Sequence, residues 1–222
     1  MIKMLPNVIL HTLFYSSPHI KISKEEAQFF NEFYESALNQ SDKVIQYHSS
    51  IPKYKFLYYL SLHKGVVFHG SNNKAIACFE PREQTLYNGD MAKAVFATND
   101  PIWPFFYATL QKDHIVGDIR NAALITNGKK TFHFYSLTKA TKAKNPWTPG
   151  IIYLLPKDSF TYIGNGIIQF NEWISTQAVS PIAKLEVQPS DFYFLNKVGT
   201  HNANESVIKS WILYKIRTLI KQ

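Results

Sequence analysis

Residues 65–71 of this chain read Gly-Val-Val-Phe-His-Gly-Ser, and here the sequence changes from a helical to a strand-like pattern. Two valines and a phenylalanine in succession predict a buried strand. His69 and Gly70 stand at the end of that strand, so a polar ring and a bare backbone are expected at the edge of a sheet. A glycine in that place lets a flat ligand approach and offers it backbone hydrogen-bonding groups.

More strands are expected on the C-terminal side of this stretch. Runs of β-branched and aromatic residues, bounded by turn residues, predict them at residues 94–97, 122–126, 131–137, 150–155, 167–174 and 182–187. Asn127-Gly128 predicts a tight hairpin between two of these strands. A helix is expected from Pro101 to about residue 112. Residues 139–149, which contain several lysines and two prolines, indicate a loop.

Helices are expected at both ends of the chain. Ser23 and Glu26 form a capping-box pattern that predicts a helix over residues 24–39, and a second short helix is expected over residues 51–62. A last helix is predicted over residues 204–221, with an apolar side made by Ile208, Trp211, Ile212 and Leu219. The chain is therefore expected to be an α+β protein. Residues 1–64 form an N-terminal helical appendage, and residues 65–222 form a mostly antiparallel domain that ends in a C-terminal helix.

Composition narrows the class of protein. The 222 residues include one cysteine, Cys78, which excludes an intramolecular disulfide and fits a reducing compartment, so a cytoplasmic location is expected. No run approaches the ~20 apolar residues of a membrane span. The eight histidines include no pair at metal-ligand spacing beside a cysteine pair. Neither a membrane nor a metal is expected as a partner. The net charge of +8 indicates attraction to polyanions, and both a solvated basic surface and a nucleic-acid-binding face stay open.

Three segments remain once familiar motifs are excluded. The sequence has no phosphate-binding loop ending in Gly-Lys-Ser/Thr, no nucleophile elbow and no paired-histidine metalloprotease helix. The segments are residues 66–71, 93–98 and 169–174. Phe96 in the second offers an aromatic face for stacking. Glu172 in the third lies among aromatic residues, where a carboxylate needs a partner or a task.

Each of these residues also has a simpler interpretation when taken singly. His69 is then an ordinary strand-end histidine, Phe96 a core residue and Glu172 a salt-bridged carboxylate on a strand. Phe170, Glu172 and Ile174 alternate on one face, however, which places the carboxylate on a side that is otherwise apolar. Glu186 is a second candidate carboxylate, but its alternation with Lys184 and Gln188 predicts solvent exposure.

Taken together, the three segments resemble the ADP-ribosyltransferase superfamily, in particular its His-Tyr-Glu branch of poly(ADP-ribose) polymerases and diphtheria-type toxins. Residues 68–71, Phe-His-Gly-Ser, stand where that branch carries Phe-His-Gly-Thr or similar. Residues 94–96, Ala-Val-Phe, stand where it carries Gly-Ile-Tyr before a helix. Residues 170–174, Phe-Asn-Glu-Trp-Ile, resemble its Tyr-Asn-Glu-Tyr-Ile. The resemblance covers roughly residues 66–192 and implies a split antiparallel β-sheet core.

The resemblance implies that NAD is the substrate and gives each residue a role. His69 would hydrogen-bond the nicotinamide ribose, Gly70 would hold the carboxamide through its backbone, and Ser71 would lie next to the same ribose or its phosphate. Phe96 would stack on nicotinamide. Glu172 would hydrogen-bond the ribose 2′-hydroxyl and stabilise the cationic sugar as nicotinamide leaves. The implied activity is that of a mono-ADP-ribosyltransferase, a glycosyltransferase that acts on an unidentified protein or nucleic-acid acceptor as a toxin or effector does.

Departures from the family pattern leave two other functions open. Phe96 stands in place of a tyrosine, so stacking is kept and a hydroxyl is lost. Phe170 stands where arginine-modifying relatives carry Gln or Glu, so arginine is not indicated as the acceptor. The chain is alternatively a protein that binds NAD or ADP-ribose without reaction, or a relative of the RNA 2′-phosphotransferases, which use the same fold and NAD.

Overall fold

The computed structural model describes residues 5–85, 91–126 and 130–220, and it shows an α+β protein whose sheets are mostly antiparallel. In this described part the α-helices are α1 (Leu5–Leu13), α2 (Lys24–Leu38), α3 (Lys53–His63), α4 (Trp103–Ala108), α5 (Lys139–Ala143) and α6 (Val207–Leu219). The capping box that starts α2 is confirmed. The Glu26 backbone N–H donates to Ser23 Oγ at 3.1 Å, and the Ser23 N–H donates to the Glu26 carboxylate at 2.9 Å.

The strands of the described residues form three sheets. Their bounds are β1 (Tyr15–Ser16), β2 (Val66–Ser71), β3 (Arg82–Thr85), β4 (Met91–Ala97), β5 (Ile119–Thr126), β6 (Thr131–Thr138), β7 (Gly150–Pro156), β8 (Thr161–Tyr162), β9 (Ile168–Phe170), β10 (Trp173–Ser175), β11 (Ala183–Val187) and β12 (Gly199–His201). The first sheet has the order β1-β6-β5-β9, with β12 paired to β6 in parallel. The second sheet is β3-β4-β10-β8, and the third is β11-β7-β2.

The strand expected over residues 167–174 is instead two strands in different sheets. β9 pairs with β5 of the first sheet, and β10 pairs with β4 of the second. Asn171 and Glu172 lie between them, at the point where the chain crosses from one sheet to the other. The alternating apolar pattern was continuous, but pattern alone does not show which neighbour a strand pairs with.

Two further predictions differ from the structure, and a third lies outside it. α4 ends at Ala108 rather than near residue 112, because the backbone after it pairs with residues 146–148: Gln111 N donates to Pro146 O at 2.8 Å. The predicted loop over residues 139–149 begins with α5, which the Thr138 side chain caps. The Asn127-Gly128 turn lies outside the described residues, although β5 and β6 on either side of it form the expected antiparallel pair.

The main core lies between the third sheet and the helices that pack on it. Phe30 of α2 and Phe56 of α3 belong to one buried cluster with Phe68 of β2 and Phe105 of α4. The N-terminal helices thus pack directly on the sheet. The division into an appendage (1–64) and a domain (65–222) stays a prediction.

Helix α6 packs with the opposite side from the one expected. Ser210, Tyr214 and Thr218 are its buried residues, whereas three of the residues expected on the apolar side, Ile208, Ile212 and Leu219, are 58–67% exposed. The fourth, Trp211, is half-buried as expected and packs edge-on against Phe14. The buried side fits a close approach to β12, since a Cβ at Gly199 would lie 3.1 Å from the Tyr214 ring. Hydrogen bonds also hold the buried side of α6 in place; for example, Tyr214 Oη donates to Lys197 O at 2.7 Å.

An ion pair anchors α6 to the sheet. Arg217 donates from both terminal nitrogens to the Glu205 carboxylate, at 2.6 and 2.7 Å, and Ser210 Oγ donates to the same carboxylate at 2.8 Å. Arg120 of β5 extends the network by donating to Glu205 O at 2.6 Å. The hydrogen bonds from Arg217, together with that from Ser210, lower the pKa of Glu205 from 4.5 to about 2 against the opposing effect of burial.

This ion pair predicts an acid-sensitive contribution to stability. A carboxylate whose pKa is lowered by folding stabilises the protein above its unfolded pKa, and this contribution is lost as the pH falls through the folded pKa. We expect roughly 2–3 kcal/mol from Glu205 at neutral pH, lost between pH 4.5 and about pH 2. The difference in unfolding free energy between the wild type and Glu205→Gln should shrink over that range in urea titrations. A difference that does not vary with pH would contradict the ion-pair assignment.

Among residues 5–85, 91–126 and 130–220, no helix has the length and apolar character needed to cross a bilayer. In the same residues, no group of three or more His, Cys, Asp or Glu side chains is placed to hold a metal ion.

Candidate functional site

The second and third sheets meet at a short contact between β2 and β4. Phe68 and Thr98 exchange two backbone hydrogen bonds there, of 2.7 and 2.9 Å. β2 otherwise pairs with β7, and β4 pairs with β3 and β10. In the described residues no further backbone pairing joins the two strands beyond this bridge, and the stretch where His69 and Gly70 run beside Phe96 without a backbone ladder is called the gap below.

The backbone of Gly70 points into this gap. The N–H and C=O groups of alternate residues in a strand point to the same edge. Those of Phe68 are bonded to Thr98 of the β4 segment, so those of Gly70 face the β4 side as well. One backbone donor and one backbone acceptor thus line the gap side by side.

The imidazole of His69 borders the same gap. Its Nδ1 lies 2.7 Å from Phe96 O. A carbonyl oxygen only accepts, so Nδ1 carries the proton and Nε2 is the acceptor of the neutral ring. Burial lowers the pKa of His69, and the charges of Lys112 and Arg82 lower it further. The ring is therefore neutral at pH 7, with a hydrogen-bond acceptor at Nε2.

Phe96 and Glu172 lie on one face of the second sheet. Phe96 is directly opposite Ile174 in the β4–β10 ladder, and opposed residues project to the same face. The Ile163 N–H donates to Glu172 O at 3.2 Å, which continues the β8–β10 pairing to Glu172, two residues before Ile174. Strand alternation then gives Glu172 and Phe96 the same face.

His69 leaves its strand on the other face. Its ring packs against Phe79, with 4.6 Å between the centroids, and Phe79 belongs to a core cluster on the side away from α4. Of the predicted site residues, the structure thus brings His69 into contact with Phe96 and puts Phe96 on the face of Glu172. The imidazole reaches the gap from the opposite face.

Helix α4 adds an aromatic residue that the sequence interpretation missed. Tyr107 is 40% exposed. Burial of its hydroxyl raises its pKa to about 12, a hydrogen bond with Asn121 opposes the rise, and the nearby charge of Glu172 adds to it. Asn121 Oδ1 also accepts from Trp103 Nε1 at 2.6 Å, which holds the helix against β5. The sequence feature that could have indicated Tyr107 is an aromatic residue on the helix that follows Phe96.

Asn171 fixes the crossing between the first two sheets. It is 5% exposed. Its backbone N–H donates to Ala123 O of β5 at 2.9 Å, and its Oδ1 accepts from the Asn99 N–H, just after β4, at 3.1 Å. Glu172, the next residue, is therefore held to both sheets.

Gly70 has a packing role in addition to its backbone groups. A Cβ at this position would lie 1.9 Å from Pro104 O and 2.9 Å from Ala108 N. α4 therefore covers the face that the missing side chain leaves bare. The free access that we expected for a flat ligand over this face is therefore closed by α4. A ligand reaches Gly70 only at the strand edge that borders the gap.

Two other predicted positions have local contacts. Ser71 is 3% exposed, and its Oγ accepts from the Asn73 N–H at 3.1 Å, so the hydroxyl stabilises the turn after β2. Its role beside a ribose stays a prediction. Glu186 is exposed as expected, with Lys74 Nζ 3.6 Å from its carboxylate.

Two surface depressions lie away from His69, Phe96 and Glu172. One of about 500 Å³ is lined by Lys139, Lys142, Ala143 and Thr200, and another of about 440 Å³ includes Asp42, His48 and Glu186. Neither contains His69, Phe96 or Glu172.

Comparison of the chain with protein-family models, with curated proteins and with solved structures gave no match. The candidate site therefore rests on the geometry of its strands.

Proposed function

We propose that this chain is an NAD-dependent mono-ADP-ribosyltransferase of the split-sheet type. It binds NAD at the gap between β2 and β4 and transfers ADP-ribose to a protein or nucleic-acid acceptor. One observation carries the proposal: three segments far apart in the sequence, residues 66–71, 93–98 and 169–174, are neighbours across β2, β4 and β10. The change of sheet between β9 and β10 supports it, because Glu172 lies where the sheets divide.

The gap suits the nicotinamide end of NAD. The N–H and C=O of Gly70 complement the carbonyl and amino groups of a carboxamide. The rings of Phe96 and Tyr107, on the face that also carries Glu172, offer stacking surfaces to a flat heterocycle. A ligand that has both a planar ring and a primary amide uses all of these groups.

Glu172 supplies the charge that the reaction requires. The bond between the nicotinamide nitrogen and ribose C1′ breaks, and the nitrogen keeps the electron pair. Positive charge then develops on the sugar, and a fixed carboxylate beside it stabilises this charge. A nucleophilic atom of the acceptor forms the new bond to C1′ and gives up its proton. Glu172 is held for this task by Asn171.

The opposite face suits the remainder of the dinucleotide. His69 Nε2 is an acceptor for a ribose hydroxyl. Arg82 and Lys112 are exposed and close enough to lower the pKa of His69, and their charges attract a diphosphate. In this proposal a dinucleotide bound at the gap places its nicotinamide beside the aromatic rings and Glu172, and its diphosphate beside Arg82 and Lys112.

Phe96 favours a second candidate function, NAD or ADP-ribose binding without reaction. The ring keeps the capacity to stack, but it lacks the hydroxyl that the His-Tyr-Glu pattern has at this position. Both candidate functions require NAD at the same gap. They differ in whether nicotinamide is released.

We expect NAD to raise the melting temperature of the chain and to be consumed. At an NAD concentration of 100 times Kd the stabilisation is about 2.7 kcal/mol, which corresponds to roughly 5–10 °C in Tm for a chain of this size. Scanning fluorimetry measures the shift, and chromatography measures the released nicotinamide. The matched control ligand is the NAD analogue with a carboxylate in place of the carboxamide, which lacks the amino donor for Gly70 and should bind more weakly. A shift without release supports the second candidate, and no shift contradicts both.

A further inference from the structure

Helix α6 carries a continuous aliphatic stripe on its solvent side. Five residues form this stripe, and they are between 52% and 79% exposed: Ile208, Ile212, Ile216, Leu219 and Ile220. Their spacing of three and four residues places them along one side of the helix. The buried side, in contrast, has a serine and a threonine. Packing among the residues that the structure describes does not account for a helix whose apolar side faces water.

Helix α1 extends this aliphatic surface. Leu10 and Phe14 share a buried cluster with Tyr214 of α6 and with Phe132 and Phe134 of β6. Both helices therefore cover the same face of the first sheet, and their outer sides face away from it together. On the outer side of α1, Val8 and Ile9 are 59% and 48% exposed. Soluble monomers rarely expose a contiguous apolar patch of this kind without a binding role.

The two helices of the patch carry basic residues and no acidic ones. The segments 5–13 and 207–219 contain no Asp or Glu. Lys209 is exposed on α6, Lys130 Nζ lies 5.5 Å from the Phe132 ring, and Lys197 and Lys215 Nζ each lie 5.2 Å from the Tyr15 ring. Glu205, just before α6, is occupied by Arg217. Lysines on and beside the two helices therefore accompany the aliphatic residues, and the acids linked to the start of α6, Asp118 and Glu205, are paired with Arg120 and Arg217.

We infer that the α1–α6 face docks on the surface of a bilayer that contains anionic phospholipids. Aliphatic side chains enter the acyl boundary while the lysines meet the phosphates, as in helices that lie in the membrane plane. At about 1.5 Å per residue α6 is roughly 20 Å long, which suits lying flat. The expectation of no membrane partner rested on the lack of a spanning run, and an in-plane helix needs only one apolar side.

A second copy of the chain fits this face less well. A two-fold antiparallel pairing centred on Ile212 would bring Lys209 of one copy near Lys215 of the other, and each chain carries a net charge of +8. No acid on either helix is available to offset that repulsion. An anionic lipid surface satisfies the lysines and the aliphatic stripe at once.

The test is cosedimentation of the whole chain with vesicles. We expect binding to phosphatidylcholine vesicles in which about one lipid in three is phosphatidylglycerol, and at least about tenfold weaker binding to pure phosphatidylcholine. Binding to the anionic vesicles should weaken as salt is raised. Ile212→Ser with Ile216→Ser should lower the binding at least about tenfold, with the melting temperature unchanged because both side chains are exposed.

The matched control is Leu62→Ser with Ile167→Ser, which removes two aliphatic side chains that are 59% and 53% exposed elsewhere on the chain. This variant should bind vesicles as the wild type does. Equal binding to neutral and anionic vesicles, or equal loss in both variants, overturns the inference. Sedimentation velocity without lipid adds a further test: a dimer that Ile212→Ser with Ile216→Ser dissociates would assign the face to a second copy instead.

Discussion

Replacement of Glu172 by glutamine should lower the rate of nicotinamide release from NAD about 100- to 1000-fold. Glutamine keeps the size of the side chain and its capacity to hydrogen-bond, but it removes the negative charge that would stabilise the cationic sugar. Because the charge matters most in the transition state, kcat should fall much more than the affinity for NAD. Steady-state nicotinamide release gives kcat, and the NAD-dependent Tm shift gives binding.

The matched control for this variant is Glu186→Gln. Glu186 is a carboxylate on β11 of the third sheet, 60% exposed in its side chain and paired only loosely with Lys74 at 3.6 Å. Turnover in this variant should equal that of the wild type. If Glu172→Gln also turned over NAD normally, while still folding and binding it, the transferase assignment would be lost.

Replacement of Gly70 by alanine should destabilise the fold by about 3 kcal/mol, the upper part of the usual range for overpacking. The new Cβ would lie 1.9 Å from Pro104 O and 2.9 Å from Ala108 N. These are backbone atoms of α4, so the whole helix has to move, and Tyr107 moves with it. For a chain of this size the loss corresponds to roughly 6–12 °C in Tm. Thermal unfolding measures it, and the NAD-dependent shift should shrink in the same variant.

Gly65→Ala, at the start of the same strand, separates crowding from backbone strain. Gly65 has a φ of +57°, but a Cβ there meets nothing within 4 Å. The substitution should cost only about 1–2 kcal/mol, from the left-handed backbone alone. A smaller loss in Gly70→Ala than in Gly65→Ala would show that α4 does not pack on β2 in this way.

The sequence predicted those helices and strands that depend only on residues close to one another along the chain. The Ser23–Glu26 capping box needs only neighbouring residues, so the start of α2 followed from the sequence. The β5–β6 pair followed from two adjacent apolar runs in the same manner. The α+β class was predictable for this reason.

The elements that were not predictable depend on distant parts of the chain. The apolar stripe of α6 indicated a buried side, but the opposite side is selected by Gly199 and by hydrogen bonds to Lys197 and Glu205. The break at Asn171 depends on which strands stand on either side. Tyr107 becomes part of the candidate site only because α4 folds back over β2, towards Glu172.

The anchoring of Asn171 has a consequence for the cost of any reaction at the neighbouring residue. Two sheets hold the backbone on either side of Glu172, so the backbone that carries this carboxylate is already fixed in the folded chain. A group positioned in advance does not have to reorganise when charge develops beside it, and its effect on a barrier is correspondingly greater. Asn171→Ala would remove the hydrogen bond from Asn99, and the Glu172 carboxylate would then be held less firmly in its position.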